Sequence, residues 1–342
     1  MQKLRNFMLM SAAVMLMLGL LLAGCGEQKA EQQTPGGNET QEQGKEEAGY
    51  PERNIEAVVG WGAGGGTDTF TRSIAIPTAD ILGTNVVVVN KPGASGSIGG
   101  DYVARQPADG YTIWAISSNY PLNVALGKTP HGLDSYIPVA RLQYDTGTIQ
   151  LAAGGPYRDI NELLAAVKEN PGEIAIGGTG AKGFDEIVIS MWEKAAGIDL
   201  NYVPYDDAGK MHSALLGGHI SAMFEEFGPT IGLIKDGKIK VALAFTEERL
   251  DQFPDVPVAP ELGWNVTEGQ SRGILVPAGT SPEIVKILQD TFQEAKKSES
   301  YRKYEADKLL NLREGWLDSR DYQAHLEEAI KNYEVILDEI QG

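Results

Sequence analysis

The chain has 342 residues, a formal net charge of −18 and a single cysteine. That length exceeds one ordinary hydrophobic core and predicts two domains. The acidic balance argues against nucleic acid or anionic lipid as a partner, and one cysteine excludes an internal disulfide.

Lys3 and Arg5 precede an apolar run from Phe7 to Leu22, which ends in Leu22-Ala23-Gly24-Cys25. Charge, apolar core and small residues in that order predict a secretory signal peptide over residues 1–24, and the run is short for a membrane span. Cys25 stands where a bacterial lipoprotein signal places the residue that is lipidated and becomes the mature N-terminus. Loss of the leader removes two basic residues and no acid, so 27 basic and 47 acidic residues leave a net charge of about −20. Residues 25–49 are rich in Glu, Gln, Gly and Thr with almost no apolar side chains, which predicts a flexible acidic linker.

From Tyr50 onward, short β-branched runs alternate with amphipathic stretches. Strands are predicted at 55–59, 86–89, 111–116, 174–177, 201–203, 222–225, 241–245 and 273–276. Helices are predicted near 69–82, 98–105, 160–169, 184–196, 207–216 and 228–236, with Pro77 ending or kinking the first. This alternation implies an α/β fold of parallel sheets covered on both faces. Two further helices are predicted at 282–298, opened by Thr280-Ser281-Pro282-Glu283, and at 319–340, with Tyr322, Leu326, Ile330, Tyr333 and Leu337 at helical spacing.

The chain is organised around Val58-Val59-Gly60-Trp61-Gly62-Ala63-Gly64-Gly65-Gly66-Thr67-Asp68. A strand breaks into glycines and then into a helix start, so free backbone N–H groups and the positive end of a helix dipole converge on one spot. Glycine lets an anion approach without a Cβ in the way. A carboxylate fits this loop; a turn shaped only for packing is the alternative. No lysine follows Gly66, as a P-loop requires, and the next strand ends in Asn90-Lys91-Pro92 rather than in the acid that a dinucleotide fold places there.

Seven segments in order resemble the extracytoplasmic solute receptors of tripartite tricarboxylate transporters, the Bug-type receptors. They are Tyr50-Pro51-Glu52-Arg53-Asn54-Ile55, Gly64 to Asp68, Val88 to Gly96, Ala108 to Thr112, Leu215 to Ile220 with Met223-Phe224, Pro254 to Pro257, and Val276 to Pro282. The resemblance implies a periplasmic binding protein type II-like fold, two α/β lobes with a ligand cleft between them. It implies capture of a small organic carboxylate by lobe closure and delivery to a membrane permease, by a lipid-anchored monomer outside the cytoplasm. Lobe 1 is then 50–145 with 270–342, and lobe 2 is 146–269, with crossings near 140–151 and 268–275.

The resemblance also implies that Gly64, Gly65, Gly66 and Thr67 hold one ligand carboxylate. Asp68 caps the helix instead, since two negative charges in a dry site repel. Trp61 either walls the cleft or packs in the core. The loop Thr179-Gly180-Ala181-Lys182 repeats the first loop's physics from the other lobe, and the family uses the corresponding loop for the distal end of the ligand. Lys182 either pairs with a second carboxylate or is a solvated charge. Ser117, Ser118 and Asn119 offer polar donors at a strand end or cap the next turn. Glu225 favours a ligand amine or hydroxyl, where many relatives have Asp-Asn in place of Glu225-Glu226. Arg272 offers a bidentate clamp or an interlobe salt bridge.

Catalysis has little support. His131, His212, His219 and His325 lack metal spacing, and Gly93 to Ser97 lacks the second glycine of a nucleophile elbow. No catalytic residue, metal or cofactor is therefore expected. The competing reading is a secreted or anchored nucleotide-dependent enzyme on a doubly wound fold.

Overall fold

The structure, a computed structural model, describes residues 49–206 and 208–341. The signal peptide, Cys25 and the linker through residue 48 lie outside the described residues, as does Asp207. Among the described residues no helix is long and apolar enough to cross a membrane.

The first half runs β1 (Ile55–Val59), α1 (Gly66–Leu82), β2 (Val86–Asn90), α2 (Ser97–Ala104), β3 (Thr112–Ser117), α3 (Asn119–Ala125) and β4 (Tyr136–Tyr144). The chain then enters β5 (Gly147–Ala152), α4 (Ile160–Glu169), β6 (Ala175–Thr179), α5 (Phe184–Ala196), β7 (Asn201–Tyr205), α6 (Ala208–Leu216), β8 (Ala222–Glu226), α7 (Phe227–Lys235) and β9 (Ile239–Ala244). It closes with β10 (Ser271–Pro277), α8 (Pro282–Ala295), α9 (Glu299–Lys308) and α10 (Ser319–Gln341).

Two five-stranded sheets result, in the orders β2-β1-β3-β10-β4 and β7-β6-β8-β5-β9. They are mixed rather than wholly parallel: β10 runs antiparallel to β3 and β4, and β5 runs antiparallel to β8 and β9. The reason is connectivity. Strands β1 and β3, like β6 and β8, end at the edge where the chain changes sheets, whereas β5 and β10 begin there and must run the other way. The polar residues Arg141, Gln143 and Gln150, all buried, break the apolar pattern, so β4 and β5 do not read as strands in the sequence.

The two crossings are tied to each other. Asp145 N donates to Gln270 O at 2.9 Å and Gly147 N to Glu268 O at 3.3 Å. A Cβ at Gly269 would collide with Asp145 O, so only glycine lets the passages touch.

Helix α1 continues through Pro77 to Leu82. Its inner face buries Phe70, Ile74, Pro77 and Thr78, and burial of the Phe and Ile alone contributes roughly 3–6 kcal/mol, enough to outweigh the ~3 kcal/mol a helical proline costs. The expected helix at 282–298 stops at Ala295, and α9 begins anew after Ser298, whose hydroxyl accepts from Tyr301 N. Helix α10 serves both sheets. Tyr322 and Leu326 pack with Val58, Trp114 and Leu275, while Tyr333 packs with Ile149, Phe184 and Phe245 of the second core.

Candidate functional site

Strand β1 ends at Val59, and the chain turns through the glycines into α1 with Gly65 as N-cap. The first i→i−4 bond is Thr69 N to Gly65 O at 2.9 Å, so the N–H groups of Gly66, Thr67 and Asp68 precede the helical ladder. Gly64 behaves differently from the expectation: its N–H donates to Asp68 Oδ2 at 2.8 Å, so this amide is spent inside the loop. Asp68 does not take the N-cap position. From the third helical position it braces the loop, also accepting from Arg72 Nε at 3.0 Å and Asn90 Nδ2 at 2.8 Å. Its carboxyl is held below the ordinary carboxylate range: burial works against this, and the bonds from Arg72, Gly64 and Asn90 outweigh it.

Trp61 lies against Gly96, where an added Cβ would meet its ring at 2.8 Å, and packs on the cluster containing Phe70 and Ile113.

Arg272, at the start of β10 and opposite Ser117 in register, sits over the helix start. A Cβ at Gly66 would be 2.6 Å from its Nη2. The side chain is 9% exposed and its Nη1 lies 3.7 Å from Asp145 Oδ2. Its buried Nε has no hydrogen-bond partner. A guanidinium with a spare donor beside open helix amides is a place for an anion.

Ser117 Oγ receives the N–H and Nδ2 of Asn119, each at 3.4 Å, so Asn119 turns back on the strand end. Ser118 is engaged within the protein. Its Oγ accepts from Ser271 N at 2.9 Å and lies 3.2 Å from Ser271 Oγ, bracing the strand that follows the second crossing. Ser118 and Ser271 also line a cavity of about 200 Å³ with Tyr144, Glu268, His325 and Tyr333. A broader hollow of about 680 Å³ between residues 246–252 and 311–314 is lined by neither glycine loop.

In the second sheet, Thr179 ends β6 and the chain turns into α5 with Gly183 as N-cap. Here too several expected ligand donors are already used. Thr179 N and Oγ1 each donate to Asp185 Oδ2 at 2.7 Å, and Gly180 N donates to Tyr205 O at 2.9 Å. Ala181 and Lys182 are exposed. Lys182 adopts φ +53°, and its N–H donates to Glu186 Oε2.

Glu225 is 5% exposed. Its Oε2 lies 2.8 Å from His212 Nε2, and its Oε1 accepts from Glu226 N at 3.1 Å. Burial first, then the charges of Glu226 and Asp185, push its pKa well up.

Three further acids are buried on neighbouring elements, Asp145, Asp185 and Glu226, which are 3%, 5% and 8% exposed; the sequence singled out Glu226 as the second half of the Glu225-Glu226 pair and the two aspartates not at all. Burial, and next the charge of Glu226, raise both Asp145 and Asp185 to about 7. The sequence signals for them are slight. Asp145 sits at a crossing, Asp185 opens a helix after a glycine, and His212 is one of four histidines with no pattern. Among the described residues no group of three or more His, Cys, Asp or Glu is arranged to hold a metal ion. Contacts and charge–charge interactions link the two loops in one chain: Gly66 to Arg272, Arg272 to Asp145, Asp145 to Glu226, Glu226 to Asp185, and Asp185 to Thr179.

The family model described as "Tripartite tricarboxylate transporter family receptor" matches residues 70–341. A UPF0065 protein encoded in the gbd 5′ region of Cupriavidus necator is 28% identical over 296 residues, covering 85% of this chain and 88% of its own. Protein BugT of Bordetella pertussis is 30% identical over 256 residues, covering 73% of this chain and 78% of its own. A TctC solute-binding protein from Polaromonas superposes with a TM-score of 0.72 at 30% identity, covering 85% of this chain and all of its own. The chain therefore belongs to the receptor family of the tripartite tricarboxylate transporters, and it is a solute-binding receptor rather than an enzyme.

Proposed function

We propose that this receptor captures a small organic carboxylate between its two sheets and delivers it to the membrane subunits of a transporter. The observation that carries this reading is the buried Arg272 guanidinium, with an unpartnered Nε, set against the first turn of α1. The carboxylate is received by Arg272 and by the N–H groups of Gly66 and Thr67. Lobe 1 comprises residues 50–145 and 270–342 and lobe 2 residues 146–269, with α10 bridging them. A ligand that touches both lobes only when they meet shifts the population toward closure.

The family supports a location outside the cytoplasm, and the sequence Leu22-Ala23-Gly24-Cys25 supports a lipid anchor. Thermal melts of the processed chain with carboxylates and with nucleotides test the reading. A ligand at 100 times its Kd adds about 2.7 kcal/mol of stability. A rise in Tm with a carboxylate is the expected result, and a rise with nucleotides alone would reject it. Cys25→Ala is expected to release the protein from membranes, and persistent membrane association would rule out lipidation.

A further inference from the structure

We propose that Asp145 is the resident counter-ion of Arg272 and that the ligand carboxylate competes with it for the guanidinium, so that this acid sets how tightly the receptor holds its ligand. This rests on the carboxylate reading above and deepens it.

The pair spans the two crossings. Asp145 lies just after β4 on the first crossing, and Arg272 lies at the start of β10, just past the second. The passages are joined at that point by the bond from Asp145 N to Gln270 O at 2.9 Å. Both side chains are buried, yet the pair is loose. Arg272 Nη1 and Asp145 Oδ2 stand 3.7 Å apart, whereas a hydrogen-bonded guanidinium and carboxylate close to about 2.7–2.9 Å. Other pairs in this chain do close: Arg72 reaches Asp68 at 2.9 Å and Arg313 reaches Glu247 at 2.8 Å.

Among the described residues the Arg272 guanidinium donates no hydrogen bond, and its sealed Nε has no acceptor. Asp145 commits Oδ1 to its neighbour, Thr146 N, at 2.8 Å and presents Oδ2 to the arginine. A guanidinium carries five N–H donors, and burying them unused costs free energy. Asp145 therefore offsets the charge of Arg272 without satisfying its donors. A carboxylate that approaches to hydrogen-bond distance does both.

Once that carboxylate is seated, two anions face one cation in a buried site, and they repel. A proton on Asp145 relieves the repulsion. Its pKa already stands at about 7, raised by burial and next by the charge of Glu226, against Arg272, the Thr146 N–H and Arg313. Tyr301 and Tyr304 of α9 also lie in the field of Arg272, and burial keeps both uncharged near neutral pH. A second anion at Arg272 raises Asp145 further. Binding thus takes up a proton and strengthens as pH falls through the region of pH 7.

The test is titration calorimetry of the processed chain, with the acid among succinate, adipate, benzoate and L-glutamate that raises Tm most. A repulsion of about one pKa unit makes the receptor with Asp145 protonated bind roughly tenfold more tightly than the ionised one. The parent is then expected to bind roughly fourfold more tightly at pH 6.5 than at pH 8, and to take up roughly 0.4 proton per ligand at pH 7, read from buffers of different ionisation enthalpy. Asp145→Asn keeps an acceptor for Thr146 N. It is expected to bind roughly fivefold more tightly than the parent at pH 8, to converge with it toward pH 6.5, and to lose the proton uptake. Weaker binding by Asp145→Asn at pH 8 overturns the inference, because Asp145 then holds Arg272 in place for the ligand. Binding by the parent without proton uptake also overturns it, needs no variant, and leaves the carboxylate reading standing. Stabilisation by none of these acids counts against the carboxylate reading itself.

Discussion

The loops that open α1 and α5 share a backbone plan and differ in charge. In each, a glycine N-cap lacks a side-chain cap, and an acid at the third helical position bonds back to the N–H of the residue before the N-cap: Asp68 to Gly64, and Glu186 to Lys182. In each, that same residue takes a positive φ, +83° at Gly64 and +53° at Lys182. Yet the first loop is topped by the Arg272 guanidinium, and the second is tied to the buried carboxyl of Asp185, which lies within the field of Glu226. One loop lies beside a cation and the other beside acids. A strand–glycine–helix turn thus determines where amides gather, and the side chains brought beside it by other elements determine which charge it accepts.

Removing the cation from the first loop is the strongest way to break this contrast. Arg272→Met is expected to weaken carboxylate binding roughly 100-fold, a cost of about 3 kcal/mol for one member of a buried charge pair. Calorimetry with the fold checked by circular dichroism measures it, and unchanged affinity would remove Arg272 from the site.

A smaller change leaves the arginine present but moves it. Gly66→Ala puts a Cβ within 2.6 Å of Nη2, and binding is expected to fall roughly tenfold while alanine's helix propensity, favoured by about 1 kcal/mol, preserves the fold. Loss of folding in place of loss of affinity would contradict it.

The second loop predicts a pH effect. Asp185 titrates near 7 in the fold and near 4 when unfolded, so the native state holds the extra proton between those values. Its stabilising contribution is complete below about pH 4 and is lost as pH rises through about 7. Asp185→Asn, which cannot ionise, is expected to gain in Tm relative to the parent as pH goes from 5 to 8. A constant difference across that range would show that Asp185 titrates normally.

The mildest change equalises the loops' backbones. Lys182→Gly relieves roughly 1–2 kcal/mol of left-handed strain and adds roughly 0.5–1 kcal/mol of chain entropy, a net gain of about 0.5 kcal/mol. Urea denaturation reads this, and a loss above about 1 kcal/mol would mean that the lysine side chain has a structural role.

Much of the architecture was legible because it is local. Strands β1, β6 and β8, the glycine turns and the helices after them follow from runs of β-branched residues, glycines and amphipathic spacing. Strands β4 and β5 were not legible, since Arg141, Gln143 and Gln150 are buried by elements far away in sequence. In the candidate site, Arg272 and Glu225 were marked by their chemistry at chain positions near strand ends. The bracing role of Ser118 was hidden because its partner, Ser271, lies 153 residues along the chain.

By itself, then, the sequence determined the alternation of strands and helices, the two glycine turns that open helices, and the family to which the chain belongs. Only the tertiary structure decided that β5 and β10 run against their neighbours, and that one turn meets a guanidinium while the other meets buried acids. Backbone conformation is set by neighbours along the chain, whereas the field in a cleft is the sum of charges that folding brings together from separate elements.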